Sequence, residues 1–245
     1  MLGPSILTGL VLLTAASSVA ADGTSGTTTT TWDCCKPACG WDSNLPSGTT
    51  GVVKSCNADN EELSDTSTTN ACDGGTAYSC SDFQPIEVNS TFSYGFAGHG
   101  NTATATCCQC YEFTWTSGAG EGKSMIVQAV NAGGITDTDF DIYTVSSRIV
   151  APWCGGDDAK EPGGGVGSEE ACDSQYGAAT TGWGEQYGGV QSDSACDELP
   201  CELEDGCHWR WEWAGGTINE WTITYNQVNC PTVLTDISGC YPPSI

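Results

Sequence analysis

Sixteen cysteines in a chain of 245 residues constrain this sequence more than any other feature, because few folds place so many sulfurs without pairing them. The first is Cys34, and ahead of it residues 6–16 form an apolar run too short to cross a bilayer. Ser18-Val19-Ala20 follows with the small residues of a processing site, so residues 1–20 read as a signal peptide and the mature chain is expected to start near Ala21 or Asp22. An even count of cysteines in an exported chain implies eight disulfides and a secreted, extracellular protein. Two histidines, His99 and His208, are too few to suggest zinc, and no metal is expected.

The roughly 225 residues that follow the leader suit one β-rich domain with a sizeable core. No later stretch is apolar enough for a membrane helix, and no long Ser/Thr/Pro linker marks a second module. Six Lys and Arg against 31 Asp and Glu leave a formal charge of -25, which disfavours nucleic acid and anionic membrane surfaces as partners. A neutral polymer is not repelled, whereas a polyanion would need a basic groove that six cations hardly supply.

Thirty-two glycines and a period-2 apolar pattern point to short strands joined by long loops. Trp209, Trp211 and Trp213 alternate with polar residues, as do Trp221, Ile223 and Tyr225, and the glycine-bearing link between them predicts a hairpin. A second hairpin is expected from Cys110–Thr116 and Lys123–Val130. Ser168–Cys172 and Ser194–Glu198 begin with a capping residue and carry acids in the first turn, which predicts short helices. The run Thr27–Thr31 suits an extended segment or a disordered tail.

With no G-x-S-x-G motif and few histidines, nucleophile triads are unattractive and carboxylates remain. A glycosidase needs two: one protonated to donate to the leaving oxygen, one ionised to activate water or attack carbon. Asp33, between Trp32 and Cys34-Cys35, would be clamped beside an aromatic surface on which a sugar ring can stack. Asp137, Asp139 and Asp141 fall at i, i+2 and i+4 and would share one face of an extended segment, where like charges raise at least one pKa. A calcium loop fits poorly, since Ile142 and Arg148 stand where glycine and glutamate are required.

Trp32-Asp-Cys-Cys-Lys-Pro-Ala-Cys-Gly-Trp41 resembles the N-terminal signature of the glycoside hydrolase family 45 endoglucanases. The resemblance continues through Cys107-Cys-Gln-Cys-Tyr-Glu112, Gly163–Gly167, Gln186–Gly189, Gly206–Arg210 and Gln227–Pro231. It implies an all-β-dominated fold: a six-stranded double-psi β-barrel with long disulfide-linked loops and a few short helices. Together with the chain length and the lack of a linker, one catalytic domain over residues 21–245 with no separate carbohydrate-binding module is expected. The expected activity is hydrolysis of internal β-1,4-glucosidic bonds of a β-1,4-glucan with inversion, by a monomer without cofactor. On matching positions Asp33 would be the general base and Asp141 the general acid, with Asp137 and Asp139 as possible supporting carboxylates. Trp32, Trp41 and Tyr187 would bind sugar. The alternatives are an expansin-like protein, which shares the barrel and the acid but lacks the base and loosens walls without hydrolysis, and a disulfide-rich glucan-binding protein whose carboxylates are solvated surface.

The sequence also departs from that family. Thr29-Thr30-Thr31 replaces Thr-Arg-Tyr, removing a cleft tyrosine, and Asp139-Phe-Asp141 replaces His-Phe-Asp, which should raise the pKa of Asp141. An insertion spans Tyr143 to Glu161 and carries Cys154. The resemblance pairs Cys34 with Cys172, Cys35 with Cys72, Cys39 with Cys107, Cys56 with Cys80, Cys108 with Cys240, Cys110 with Cys230 and Cys196 with Cys207. Cys154 and Cys201 remain, and are expected to bridge to each other. Asn89-Ser-Thr91 is the sole N-glycosylation acceptor.

Overall fold

The computed structural model describes residues 23–31, 34–144, 192–198 and 201–245. Its strands are β1 (Thr24–Thr31), β2 (Ile86–Asn89), β3 (Phe92–His99), β4 (Cys110–Trp115), β5 (Ser124–Asn131), β6 (Asp139–Tyr143) and β7 (Trp221–Val228). They lie in the order β2-β3-β5-β4-β7-β1-β6, and a further pairing of β3 with β6 closes six of them into a barrel with β2 outside the ring. β1 runs parallel to β6 and β3 parallel to β5, while the remaining pairs are antiparallel. The expected barrel class is therefore the one observed.

Period-2 patterning explains which side chains fill the barrel. Phe113 and Trp115 of β4, Met125, Val127 and Ala129 of β5, Phe140 and Ile142 of β6, and Ile223 of β7 are all buried. The aromatic rings meet edge to face, as for Phe113 on Trp115 and Phe140 on Tyr225. In β1 the threonine run is extended. Thr28 and Thr30 are buried while Thr27, Thr29 and Thr31 are half-buried on the other face. The Thr28 hydroxyl donates to the Ile218 carbonyl at 2.8 Å and accepts from Trp115 Nε1 at 3.0 Å. Beyond its pairing with β7, β1 is served by Asn219, whose Oδ1 accepts from the amide and hydroxyl of Thr30.

The loops outside the barrel contain the short helical turns Ala38–Gly40, Asp42–Asn44, Ala71–Asp73 and Asp193–Glu198 and the helices α1 (Ala103–Thr106), α2 (Cys201–His208) and α3 (Thr232–Ser238). Six expected disulfides are present: Cys35–Cys72, Cys39–Cys107, Cys56–Cys80, Cys108–Cys240, Cys110–Cys230 and Cys196–Cys207. Cys34 is also disulfide-bonded. Its expected partner Cys172 and the expected Cys154–Cys201 bridge involve residues outside the described set, as do the signal peptide, most of the Tyr143–Glu161 insertion and the Ser168–Cys172 helix. The short helix expected at Ser194–Glu198 appears as a 3-10 turn.

One hairpin is as expected, with β4 and β5 antiparallel from Cys110↔Gln128 to Thr114↔Ser124. The other is not. Residues 207–213 do not form a strand: α2 runs into a π-helical turn, Trp209–Ala214, that ends at Gly215 with φ +94. Cys207 is tied to Cys196, and Trp209 stacks on Trp213 one turn away with ring centroids 5.0 Å apart. The helical i, i+4 spacing of these two tryptophans decides the conformation, because both are buried against the barrel end. β7 pairs instead with β1 and β4.

Candidate active site

β6 turns the barrel's core pattern into a chemical surface. Phe140 and Ile142 point inward and are fully buried, which places Asp139 and Asp141 together on the opposite, half-buried face. Asp137 does not share that face: it sits in the exposed turn before β6, where its Oδ1 accepts from the Asn101 amide at 3.1 Å. The expected row of three carboxylates is thus a pair plus a turn residue, because the strand begins only at Asp139.

The parallel neighbour β1 supplies the hydroxyls. Register sets Thr27 opposite Asp139 and Thr29 opposite Asp141. Thr27 Oγ1 donates to Asp139 Oδ1 at 2.6 Å, and Thr29 Oγ1 donates to Asp141 Oδ1. Thr136 Oγ1 donates to the other oxygen, Asp139 Oδ2, at 2.6 Å. Gly26 permits this close approach, since a Cβ there would lie 1.9 Å from the Thr138 carbonyl oxygen of the turn that delivers Asp139. On the other side of β6, Gly98 of β3 is opposite Asp141 and has no side chain to cover it.

His99 braces β6 from within. Its ring lies parallel to Phe140 at 3.9 Å, and Nδ1 is 2.8 Å from the Asp139 carbonyl oxygen. Burial lowers its pKa, against opposing contributions from its hydrogen bond to Asp139 and from the charges of Asp137 and Asp139. Asp141 moves the other way. Burial raises its pKa and the nearby Asp139 charge raises it further, while the Thr29 hydrogen bond opposes both. The resulting carboxyl retains a proton above the ordinary aspartate range, as a proton donor requires.

Trp41 follows the Ala38–Gly40 turn and is half-buried. The Lys36 ammonium lies 3.3 Å from its ring centroid and donates to the carbonyls of Thr66 and Thr68, so one indole face is covered. Asp33, Trp32 and Tyr187 lie outside the described residues. Among the described residues one grouping offers metal-ligand atoms, Asp193, Cys196 and His208. Cys196 is spent in a disulfide, and His208 is clipped instead between Asp193 at 2.8 Å and Asp197 at 3.2 Å. Burial alone would lower the His208 pKa, but Asp193, Asp197 and Glu212 outweigh it and raise it.

The model for glycosyl hydrolase family 45 matches residues 25–241, a span that includes both the threonine strand and the β6 carboxylates. The chain belongs to glycosyl hydrolase family 45. It is 39% identical over 236 residues to a putative endoglucanase type K of Fusarium oxysporum, covering 94% of this chain but 57% of that longer protein. An endoglucanase of the springtail Cryptopygus antarcticus is 39% identical over 220 residues, 88% of each chain. An endoglucanase of Phaedon cochleariae is 36% identical over 218 residues, covering 88% of this chain and 83% of its own. In three dimensions the chain is similar to the crystal structure of the cellulase from Cryptopygus antarcticus, with a TM-score of 0.72 at 38% identity over 89% of this chain and 98% of the other.

Within this family 45 chain, the sequence pointed to Asp139 and Asp141 but missed the residues that hold them. Thr27 and Thr29 read as low-complexity repeats, and no local signal aligns them with residues 112 positions away. His99 was missed for the same reason, since its partner is set by β3 meeting β6, whereas Thr136 is a local contact, three residues before Asp139 in the turn that leads into β6.

Proposed function

We propose that this protein is a secreted endo-β-1,4-glucanase that cleaves internal bonds of cellulose or a related β-glucan with inversion. The observation that carries the reading is Asp141, a carboxyl of raised pKa on the open face of β6 in a chain that belongs to glycosyl hydrolase family 45. Protonated Asp141 donates its proton to the glycosidic oxygen as the C–O bond breaks. Asp33 takes a proton from a water that attacks the anomeric carbon from the opposite face. The product hemiacetal has inverted configuration, and both carboxyls return to their starting states by proton exchange with solvent. For this to work the two carboxyl groups should stand about 6.5–9.5 Å apart. Asp139 and Asp137 support the acid, and Trp32, Trp41 and Tyr187 serve as sugar platforms.

A formal charge of -25 is compatible with a neutral polymer, and the six disulfides seen between described residues support export to an oxidising compartment; the proposed catalyst is a monomeric single domain. The test is release of reducing ends from carboxymethyl cellulose and barley β-glucan, with the product anomer followed by NMR. Wild type should release ends of inverted configuration. Asp33→Ala and Asp141→Ala, still folded by circular dichroism, should each lose about 10²–10⁴-fold in rate. A wild type that binds cellulose but releases no ends overturns hydrolysis and leaves wall loosening or glucan binding as the function.

A further inference from the structure

Asp139 is held more firmly than a supporting surface carboxylate needs to be. Its two oxygens accept from two different segments, Oδ1 from Thr27 of β1 and Oδ2 from Thr136 of the preceding turn, both at 2.6 Å. Its carbonyl is engaged from behind by His99 Nδ1 at 2.8 Å. With both oxygens used as acceptors and the main chain pinned, the carboxylate is held on the face of β6 and cannot swing away into solvent. Asp141 follows two residues later on the same face of the same strand, with a single threonine donor and with Gly98 opposite it.

Among the described residues the titratable or charged groups around Asp141 are few. Asp139 is on its own strand, Asp137 is in the turn before, and His99 of β3 is directed into the barrel against Phe140. β1 contributes the neutral Thr29 and β3 the side-chain-free Gly98. Burial and the opposing Thr29 hydrogen bond act most strongly on whether Asp141 carries its proton, and the negative charge of Asp139, two residues away on the same strand face, adds to burial in favouring the protonated form.

We propose that Asp139 is a positioning residue for the reaction: locked by Thr27 and Thr136, it keeps the proton on Asp141 and so extends catalysis toward higher pH. This rests on Asp141 being the general acid. Thr27 and Thr136 thereby belong to the catalytic apparatus at one remove, setting the working pH range without touching substrate.

The experiment is a carbon-13 NMR titration of the aspartate carboxyls in the oxidised full chain, alongside the pH dependence of kcat/KM on barley β-glucan. Asp139→Asn keeps the shape and removes the charge. Both the Asp141 titration midpoint and the alkaline limb of kcat/KM should move to lower pH. Thr27→Val leaves the charge but removes one of its two hydroxyl donors, and should move both readouts in the same direction by less. It also serves if Asp139→Asn does not fold. An unmoved midpoint in a folded variant overturns the proposal. Full hydrolysis by Asp141→Asn would instead sink the role of Asp141 as acid, while the NMR midpoint still reports on the Asp139 coupling.

Discussion

Inside the barrel, the fully buried side chains are Phe113, Trp115, Met125, Phe140 and Ile142, packed ring against ring on continuous strand ladders. In the loops between β1 and β4, the corresponding buried groups are chiefly cysteines: Cys34, Cys39, Cys56, Cys80, Cys107 and Cys108, with Val53, Tyr78 and Phe83 among them. Residues 49–80 contain no strand, only isolated bridges such as Cys56↔Tyr78 and Asn70↔Ala77. The barrel gains stability in the native state by removing apolar surface from water. In the loops much of what is buried is disulfide sulfur, and on the chain-entropy account those cross-links act largely by restricting the unfolded chain. The two carboxylates of β6 stand where a strand of the first kind presents its polar face, so a rigid scaffold positions the chemistry while cross-linked loops surround it.

The largest effect is expected from attacking the barrel side of that contrast. Trp115→Ala should cost about 3–5 kcal/mol, since it empties a fully buried site and strips Thr28 of its indole donor. Equilibrium denaturation in urea measures this, and a loss under about 1 kcal/mol would show that the barrel core is not the principal source of stability. Replacing Cys56 and Cys80 together by alanine removes a bridge across 24 residues and should cost about 3 kcal/mol on the chain-entropy account. Here the local readout sharpens the comparison. Residues 57–79 should become protease-sensitive while amides of β4, β5 and β7 stay protected from exchange, and equal loss of protection in both regions would mean that loops and barrel unfold as one unit.

The smallest effect concerns the site itself. Because burial and Asp139 raise the folded-state pKa of Asp141 above its unfolded value, the native chain binds the extra proton between the two values. Stability therefore falls as pH rises through that window, and the loss is absent below the unfolded value. Asp141→Asn should accordingly raise Tm near neutral pH, with the gain fading on acidification. A variant less stable than wild type at neutral pH would show that the carboxylate form is the one the fold favours.

Much of this was legible before any coordinates. The cysteine count announced a cross-linked chain, and the alternation of Cys110–Thr116 and Lys123–Val130 announced a hairpin that is there. Asp139 and Asp141 could be read as sharing a face because side chains in a strand alternate strictly. The same alternation misled at Trp209–Trp213, where spacings of two and of four coexist and only burial against the barrel end selects the helical one. Disulfide connectivity came from family resemblance, since spacing alone leaves many pairings open.

Residue types, local periodicity and the family signature are properties of neighbours along the chain, and the sequence by itself determined those. The tertiary structure alone decided that Thr27 and Thr29 would hand their hydroxyls to Asp139 and Asp141, that Asp137 would fall outside the row, and that His99 would brace β6 from within. These contacts depend on the register of β1 and β3 against β6, which the closure of the barrel sets and no local stretch encodes.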